Sequence, residues 1–396
     1  MENVLIVGAG LSGAVMARRL CNKYNVTVID KRDHIGGNCY DYYDEETNIL
    51  MNKYGAHIFH TNSERVWEFV NKYSEWESWY HQVIGRINNK YFPIPVNITT
   101  VNTLLNKNYD QEEMRAFLQN NKIYSDPKNG EEVTINNVGE ELYKLIFKEY
   151  TFKQWNKYPN ELDASVLARI PVRSDYNCNY FSDKYQALPK LGYTHFIKNI
   201  LDHPNINVKL NVEFNKGDCK EYSKIFITGP IDHYYSELGL PKLEYRSINF
   251  VKEYHDIDYY QSRSVINYPQ HYVIEDDIIV PTPWTRIIEY KHFSASKHFS
   301  ASKHFSASKH FSASKNFSDQ ISANKTVIVK EYTCDGGDPY YPVPTQKNQD
   351  IYKKYQEEAK KDEANNIYFL GRLGSYKYLN MDQAIELALQ LADKFD

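Results

Sequence analysis

The stretch that most constrains this chain is its beginning. Val4 to Val7 is a short apolar run rich in β-branched side chains, followed by GAGLSG and then by AVMARRL, which has helical spacing. Strand, tight turn and helix in that order give each glycine a task. Gly8 permits the turn, Gly10 lets a pyrophosphate approach the backbone, and Gly13 admits close helix packing, while the helix N-terminus offers unpaired N–H groups. A second strand, NVTVID, ends on Asp30, about twenty residues further on, where an acid meets a ribose hydroxyl. A merely structural glycine turn needs neither the helix nor the acid, so a dinucleotide site on a Rossmann-like α/β unit is expected. KRDHIGGN follows at once. Its Gly36 and Gly37 bring a second length of backbone against a long, bent cofactor, which favours FAD over NAD.

The last residues repeat the theme. NIYFLGRLGSYKYLNMDQAIELALQL reads as a strand, a glycine-bearing loop and a final helix, with Ala384, Ile385, Ala388, Leu389 and Ala392 at helical spacing and Asn380 as its N-cap. Packed beside the first unit, that helix directs a partial positive charge at the far end of the cofactor, where a reduced flavin carries negative charge. An ordinary closing helix is the alternative.

Between these ends, Val101 to about Trp155 is polar and helical in character. Pro159 to Tyr180 and Leu243 to Val280 alternate short β-rich runs with turns, as an antiparallel sheet does. Nucleotide-binding text returns at INVKLNVEF and IFITGP. The expected fold is therefore mixed α/β: a FAD-binding domain from residues 1–75, 187–236 and 345–396, a helical domain at 76–146, and an antiparallel-sheet substrate domain from 147–186 and 237–344. Within the last, KHFSAS occurs four times in succession from Lys291. Six-residue units in that number do not build a fold for 396 residues. They read as a low-complexity insertion at 291–318, exposed and away from the cofactor, since closure entropy grows only with the logarithm of loop length.

Composition narrows the function. A net charge of −4 gives no global attraction for nucleic acid. Five cysteines, odd in number and never in CxxC spacing, suggest neither a disulfide framework nor a thiolate metal site. With no signal-peptide pattern and no run of membrane-spanning length, a cytoplasmic protein is expected. The 35 tyrosines supply large side chains with a polar tip, suited to a wet cavity for a polar ligand.

Two constellations bear on chemistry. His57 and His60 in YGAHIFH are three residues apart, but Gly55 and the β-rich surroundings argue against a helix and no third ligand is near, so a core or hydrogen-bonding role is preferred to a metal site. Arg173 in RIPVR, Arg286 in PWTRIIEY and Arg372 in LGRLG stand in apolar or aromatic settings. A diphosphate clamp and three separate salt bridges both remain open. No acid/base carboxylate pair and no nucleophile elbow is visible.

YGAHIFHTN, EYTFKQW, RIPVR, NYFSDKYQ, LEYRS, TRIIE, DPYYPV and GRLGSYKY, in that order, resemble the bacterial-type UDP-galactopyranose mutase family over nearly the whole chain. The resemblance implies a flavoenzyme that interconverts UDP-galactopyranose and UDP-galactofuranose without net redox change. It implies reduced FAD, a covalent flavin N5–sugar adduct, and an external reductant, NAD(P)H or a reductase; a homodimer is left open. It implies that Arg173 and Arg286 contact the diphosphate, with Arg372 close to flavin and sugar. It sets Tyr185, Tyr341 and Tyr378 around diphosphate and sugar, Trp155 beside the galactose, and Phe147, Tyr150 and Asn267 at the uridine. His57 and His60 fall near the isoalloxazine and sugar, and Gly8, Gly10, Gly13, Asp30, Gly36, Gly37, Asn38 and Met381 on FAD. Three positions depart from the family pattern. Asn156 replaces a glycine, and Leu379 and Asn380 replace a Tyr-Asp pair, which opens the choice of sugar to 6-deoxy or N-acetylated relatives, although His60 leans towards galactose. A flavin oxidoreductase and a non-enzymatic nucleotide-sugar sensor are the competing readings.

Overall fold

A computed structural model of the protein describes residues 1–168, 171–293 and 324–395. Most of the expected insertion, from Ser294 to its end, lies outside the described residues. Its first KHF does not: Phe293 packs its ring against Trp79, His81 and Tyr290, and the Lys291 ammonium is held by Asp258 at 2.7 Å.

The glycine-led first unit anchors a five-stranded sheet in the order Ile206–Leu210, Tyr24–Asp30, Glu2–Val7, Lys224–Ile227, Ile367–Phe369, every neighbouring pair parallel. Parallel strands need cover on both faces. Val4, Ile6, Val26, Val28 and Phe226 pack under helices Leu11–Leu20, Tyr193–Leu201 and Met381–Ala392, and Leu5, Ile29, Ile225, Ile227 and Ile367 form a core on the other side. Three separated stretches of chain thus meet in one sheet.

The second sheet has seven strands, ordered Tyr341–Pro342, Tyr245–His255, Thr326–Cys334, Arg286–Glu289, Val265–Asn267, Val83–Ile87, Lys90–Ile94. Its pairings are antiparallel except between Val265–Asn267 and Val83–Ile87, which run parallel. Val83–Ile94 was expected within the helical segment 76–146; its alternation of buried and half-exposed residues instead makes it the edge hairpin of this sheet.

Helices Ile98–Leu105, Gln111–Asn120 and Gly130–Val138 start on Asn97, Asp110 and Asn129, side chains that accept from the first-turn N–H groups. The chain then runs through Glu140–Leu142 into a six-residue π-helix, Tyr143–Lys148, and on to helix Glu149–Trp155. The β-rich reading of Pro159 to Tyr180 is corrected. Among its described residues that stretch holds a 3₁₀ turn, Pro159–Glu161, a short helix, Ala164–Ala168, and, from 171 on, irregular chain. Its apolar residues pack rather than pair: Leu162 and Val166 lie on Trp155, and Leu167 joins the helical core.

Candidate functional site

The two glycine turns lie against each other. Gly36 N–H donates to Ala9 O at 2.8 Å, and Gly10 and Gly36 form a parallel bridge. A Cβ on Gly37 would stand 2.9 Å from Gly10 Cα, and Gly37 and Gly8 have φ of +54° and +111°, a region that favours glycine. The result is a cradle of bare backbone. The Asp30 carboxylate accepts from Ala9 N–H at 2.8 Å and Arg32 N–H at 2.9 Å and so braces the turn. A cavity of about 600 Å³ opens here, lined by Gly8, Gly10, Asp30, Gly36, Gly37 and Asn38 and also by His57, Arg372, Asn380 and Met381. Its size suits a small-molecule or cofactor site, and the bare backbone fits a pyrophosphate. Gly13 stands behind the cavity, where a Cβ would meet Gly8 O at 2.0 Å; it is needed for the close helix–strand approach rather than for lining.

Helix Met381–Ala392 begins on Asn380, whose N–H donates to Gln383 Oε1 at 2.9 Å, and its first turn faces the cavity through Asn380, Met381 and Ala384. Beside it, His57 Nδ1 lies 2.7 Å from Gly55 O. A carbonyl only accepts, so Nδ1 carries the proton and Nε2 keeps its lone pair. Burial pushes the His57 pKa down to about 4, helped by the charges of Arg372 and Arg286, and the ring is neutral near pH 7. His60 is set differently: its Nδ1 is 2.9 Å from Asp183 Oδ2, its ring stacks on Phe181 at 3.8 Å, and it stands off the cavity wall.

The arginines divide. Arg286 Nε donates to Glu331 Oε2 at 2.5 Å; the carboxylate is fully buried and its Oε1 has no hydrogen-bond partner among the described residues. Burial works against the arginine's charge, but Glu331 and the phenols of Tyr150 and Tyr341 hold its pKa well above the ordinary value. Arg372 has no carboxylate partner among the described residues. It donates to Leu379 O at 2.6 Å and Tyr340 O at 3.3 Å and lies over the rings of Tyr341 and Tyr378 at 5.2 and 5.3 Å. Among the described residues Arg173 likewise reaches only carbonyls, Asn177 O at 3.3 Å and Phe181 O at 3.4 Å. The salt-bridge alternative thus holds for Arg286 alone. Tyr341 and Tyr378 stack at 5.2 Å, and the Trp155 indole is 6.2 and 6.1 Å from them, so Arg286, Arg372, Tyr150, Trp155, Tyr341 and Tyr378 form one cation-and-aromatic cluster.

Two residues expected at the substrate, Tyr185 and Phe147, sit elsewhere than the cluster. Tyr185 donates its hydroxyl to Glu64 at 2.6 Å and stacks on Trp67 at 4.7 Å, because in strand Tyr185–Pro189 it pairs opposite Thr61 and faces helix Glu64–Asn71. The tyrosine of NYFSDKYQ that feels Tyr150 is Tyr180, whose ring meets His81 and Phe181. Phe147 is 8% exposed and belongs to the helical core. Asn267 is equally buried, registers opposite Arg286, and leaves Oδ1 without a partner, an acceptor suited to a ligand N–H. Asn156 is explained by its backbone: it closes helix Glu149–Trp155 at φ +53°, a left-handed position that asparagine tolerates nearly as glycine does. Sequence reasoning missed Tyr180, buried His81 and buried Lys153. For Lys153 a signal existed, a charge on the inward side of EYTFKQW.

The sequence pattern of the UDP-galactopyranose mutase family matches residues 145–314 and 308–378, and that of an NAD(P)-binding Rossmann-like domain matches residues 6–73. A probable UDP-galactopyranose mutase of Klebsiella pneumoniae is 39% identical over 100% of this chain and 94% of its own. The dTDP-fucopyranose mutase of Escherichia coli is 38% identical over 100% of this chain and 98% of its own. A UDP-galactopyranose mutase of Mycoplasma genitalium is 30% identical over 99% of this chain and 94% of its own. A crystal structure of reduced UDP-galactopyranose mutase shares the fold, with a TM-score of 0.74 at 15% identity over 100% of this chain and 95% of that one. On the family pattern and on relatives matched along its whole length, the chain belongs to the UDP-galactopyranose mutase family.

Proposed function

We propose that this chain is a flavin-dependent mutase that interconverts UDP-galactopyranose and UDP-galactofuranose, with FAD as its cofactor. The observation that carries this reading is the meeting, beside a dinucleotide cradle, of neutral His57, carboxylate-free Arg372 and the Trp155–Tyr341–Tyr378 cluster. FAD would be held by Gly8, Gly10, Asp30, Gly36, Gly37 and Asn38, with Arg372 and Met381 at its flavin end. When bound and reduced it supplies the nucleophilic N5 on which the covalent flavin–sugar route depends.

The chain's own residues then bind, orient and stabilise charge. Arg286, aimed by Glu331, and Arg173 and Arg372, held only by carbonyls, offer donors to a diphosphate that gains charge as its bond to the sugar breaks. The Trp155, Tyr341 and Tyr378 rings exclude water and present flat faces and hydroxyls to the sugar, and the open Oδ1 of Asn267 and the Tyr150 phenol suit the uridine. His57, neutral with its Nε2 lone pair free, accepts a hydrogen bond without adding positive charge near the cofactor. Among the described residues no helix is long and apolar enough to cross a membrane. Electrons to reduce the flavin come from outside, NAD(P)H or a reductase.

The test is turnover of UDP-galactose by dithionite-reduced and by oxidised protein, with both sugar isomers resolved. Activity confined to the reduced form, with no reductant consumed per turnover, is expected; equal rates in the oxidised form overturn the reading. A dTDP-6-deoxy sugar is the second reading, favoured by the near-equal identity to the dTDP-fucopyranose mutase and by Asn380 on the cavity wall. Assaying dTDP-fucose beside UDP-galactose decides between them.

A further inference from the structure

Lys153 is 8% exposed, and its ammonium donates to four backbone carbonyls: Tyr268 O at 2.5 Å, Trp284 O at 2.8 Å, and Gln270 O and Thr282 O at 3.0 Å. An ammonium has three protons, so four acceptors occupy it fully. Those carbonyls lie on the two segments that flank the hairpin Tyr272–Glu275 and Ile278–Pro281, one leaving strand Val265–Asn267 and the other entering strand Arg286–Glu289. The link is returned from the other side. The Gln270 side chain donates to Leu145 O at 2.5 Å and Lys144 O at 3.3 Å, inside the π-helix that precedes Tyr150. A π-turn shifts the hydrogen-bond ladder by one residue and leaves carbonyls to be satisfied from outside; Gln270 is that outside donor.

From this reciprocal brace we infer that Lys153 and Gln270 are positioning residues for the nucleotide half of the substrate, fixing the π-helix and helix Glu149–Trp155 against the strands that carry Asn267 and Arg286. The inference rests on the nucleotide-sugar reading of the site. The brace joins the two walls: Tyr150 and Trp155 stand on one, Asn267 and Arg286 on the other. The acid on the same helix near Lys153 is Glu149, which is engaged with His271 at 3.1 Å and acts on the ammonium through its charge, while the direct contacts are all to carbonyls. Burial pushes the Lys153 pKa down to about 7, and the Glu149 charge works against that shift. Since the contacts lie away from the glycine cradle, loss of the brace changes substrate binding and leaves the cofactor in place.

The experiment compares wild type, Lys153→Met, Lys153→Arg, Gln270→Ala and the Lys153→Met/Gln270→Ala double variant, all flavin-loaded. It reads UDP Kd by calorimetry, KM and kcat with UDP-galactose, flavin content and thermal midpoint. Expected are increases of roughly tenfold in UDP Kd and KM for Lys153→Met and Gln270→Ala, because a displaced wall of a binding site costs on that order. The double variant should be less than additive, as two ends of one brace are. Flavin content should be unchanged, and Lys153→Arg should recover part of the affinity. Gln270→Ala, a half-buried loop residue, keeps the test open should Lys153→Met not fold. A lowered thermal midpoint with unchanged UDP Kd and KM overturns the inference in favour of a purely structural lysine. Failure of the wild type to bind UDP overturns both this inference and the proposed substrate, whereas equal binding by wild type and variants overturns the brace alone.

Discussion

Replacing Arg286 by methionine separates what that residue does for the fold from what it does for a ligand. Glu331 beneath it is fully buried, and Oε2 donates nothing and accepts only from Arg286 among side chains, while Oε1 accepts from nothing among the described residues. Removing one member of a buried ion pair costs about 3–5 kcal/mol, because the remaining charge is left without compensation. The Arg286 side chain is 31% exposed, which lets water reach the vacated space and places the loss near the lower figure. About 3 kcal/mol corresponds to a fall of roughly 4 °C in thermal midpoint for a chain of 396 residues. The double variant Arg286→Met/Glu331→Gln removes the orphaned charge and should return to within about 1 kcal/mol of wild type. Turnover should not return with it: losing charge-assisted donors to the diphosphate costs about 2–4 kcal/mol in the transition state, roughly 30- to 1,000-fold in kcat/KM. Calorimetry of the flavin-loaded proteins and steady-state assay of the reduced ones supply both readings. A double variant that regains stability and activity together would refute the ligand role and leave Arg286 as half of a structural pair.

At Asn156, substitution by alanine should destabilise by about 1–2 kcal/mol and by glycine by only a few tenths, since φ is +53° and only a residue with a Cβ and no local hydrogen bond is penalised there; equal losses by urea unfolding would remove the backbone explanation. His81 is buried, and burial first, then the Arg286 and His60 charges, push its pKa from 6.5 to about 3. The unfolded chain therefore takes up a proton below pH 6.5 that the fold does not, and stability falls as pH drops, by about 2 kcal/mol between pH 7 and 5. His81→Asn should flatten that slope, and an unchanged slope would show that His81 protonates within the fold. Asn380→Asp should alter the ratio of kcat/KM for UDP-galactose and dTDP-fucose while leaving the thermal midpoint in place, Asn and Asp being comparable helix N-caps; identical ratios would make the position structural.

What could be read in advance was local. The turn through Gly8 and Gly10, Asp30 at the end of the second strand, the paired Gly36 and Gly37, and Asn380 at the head of the closing helix each follow from residues a few positions apart, whose backbone demands are written in their type. What escaped depends on contacts between distant segments. Lys153 meets carbonyls more than a hundred positions away, and nothing in EYTFKQW announces them. Val83–Ile94 looks like any short hairpin until Val265–Asn267 lies beside it. Pro159 to Tyr180 carries the apolar content of strands but spends it covering Trp155 and the helical lobe. In NYFSDKYQ, which tyrosine turns inward is set by the pairing of Tyr185 with Thr61, a register that sequence spacing does not show.

The strand order of the parallel sheet also bears on how the chain is made. Glu2–Val7 sits at the centre, yet its two neighbours are Tyr24–Asp30 and Lys224–Ile227, and the far edge, Ile367–Phe369, comes almost last. A ribosome delivers the glycine cradle hundreds of residues before Arg372 to Met381, which line the same cavity. Through most of synthesis the open flank of Glu2–Val7 is an unpaired, strongly apolar edge of the kind that invites wrong partners. The cofactor cavity closes only when Arg372 to Met381 folds against glycine turns made hundreds of positions earlier, and a chain cut before the helix that follows has half a cradle.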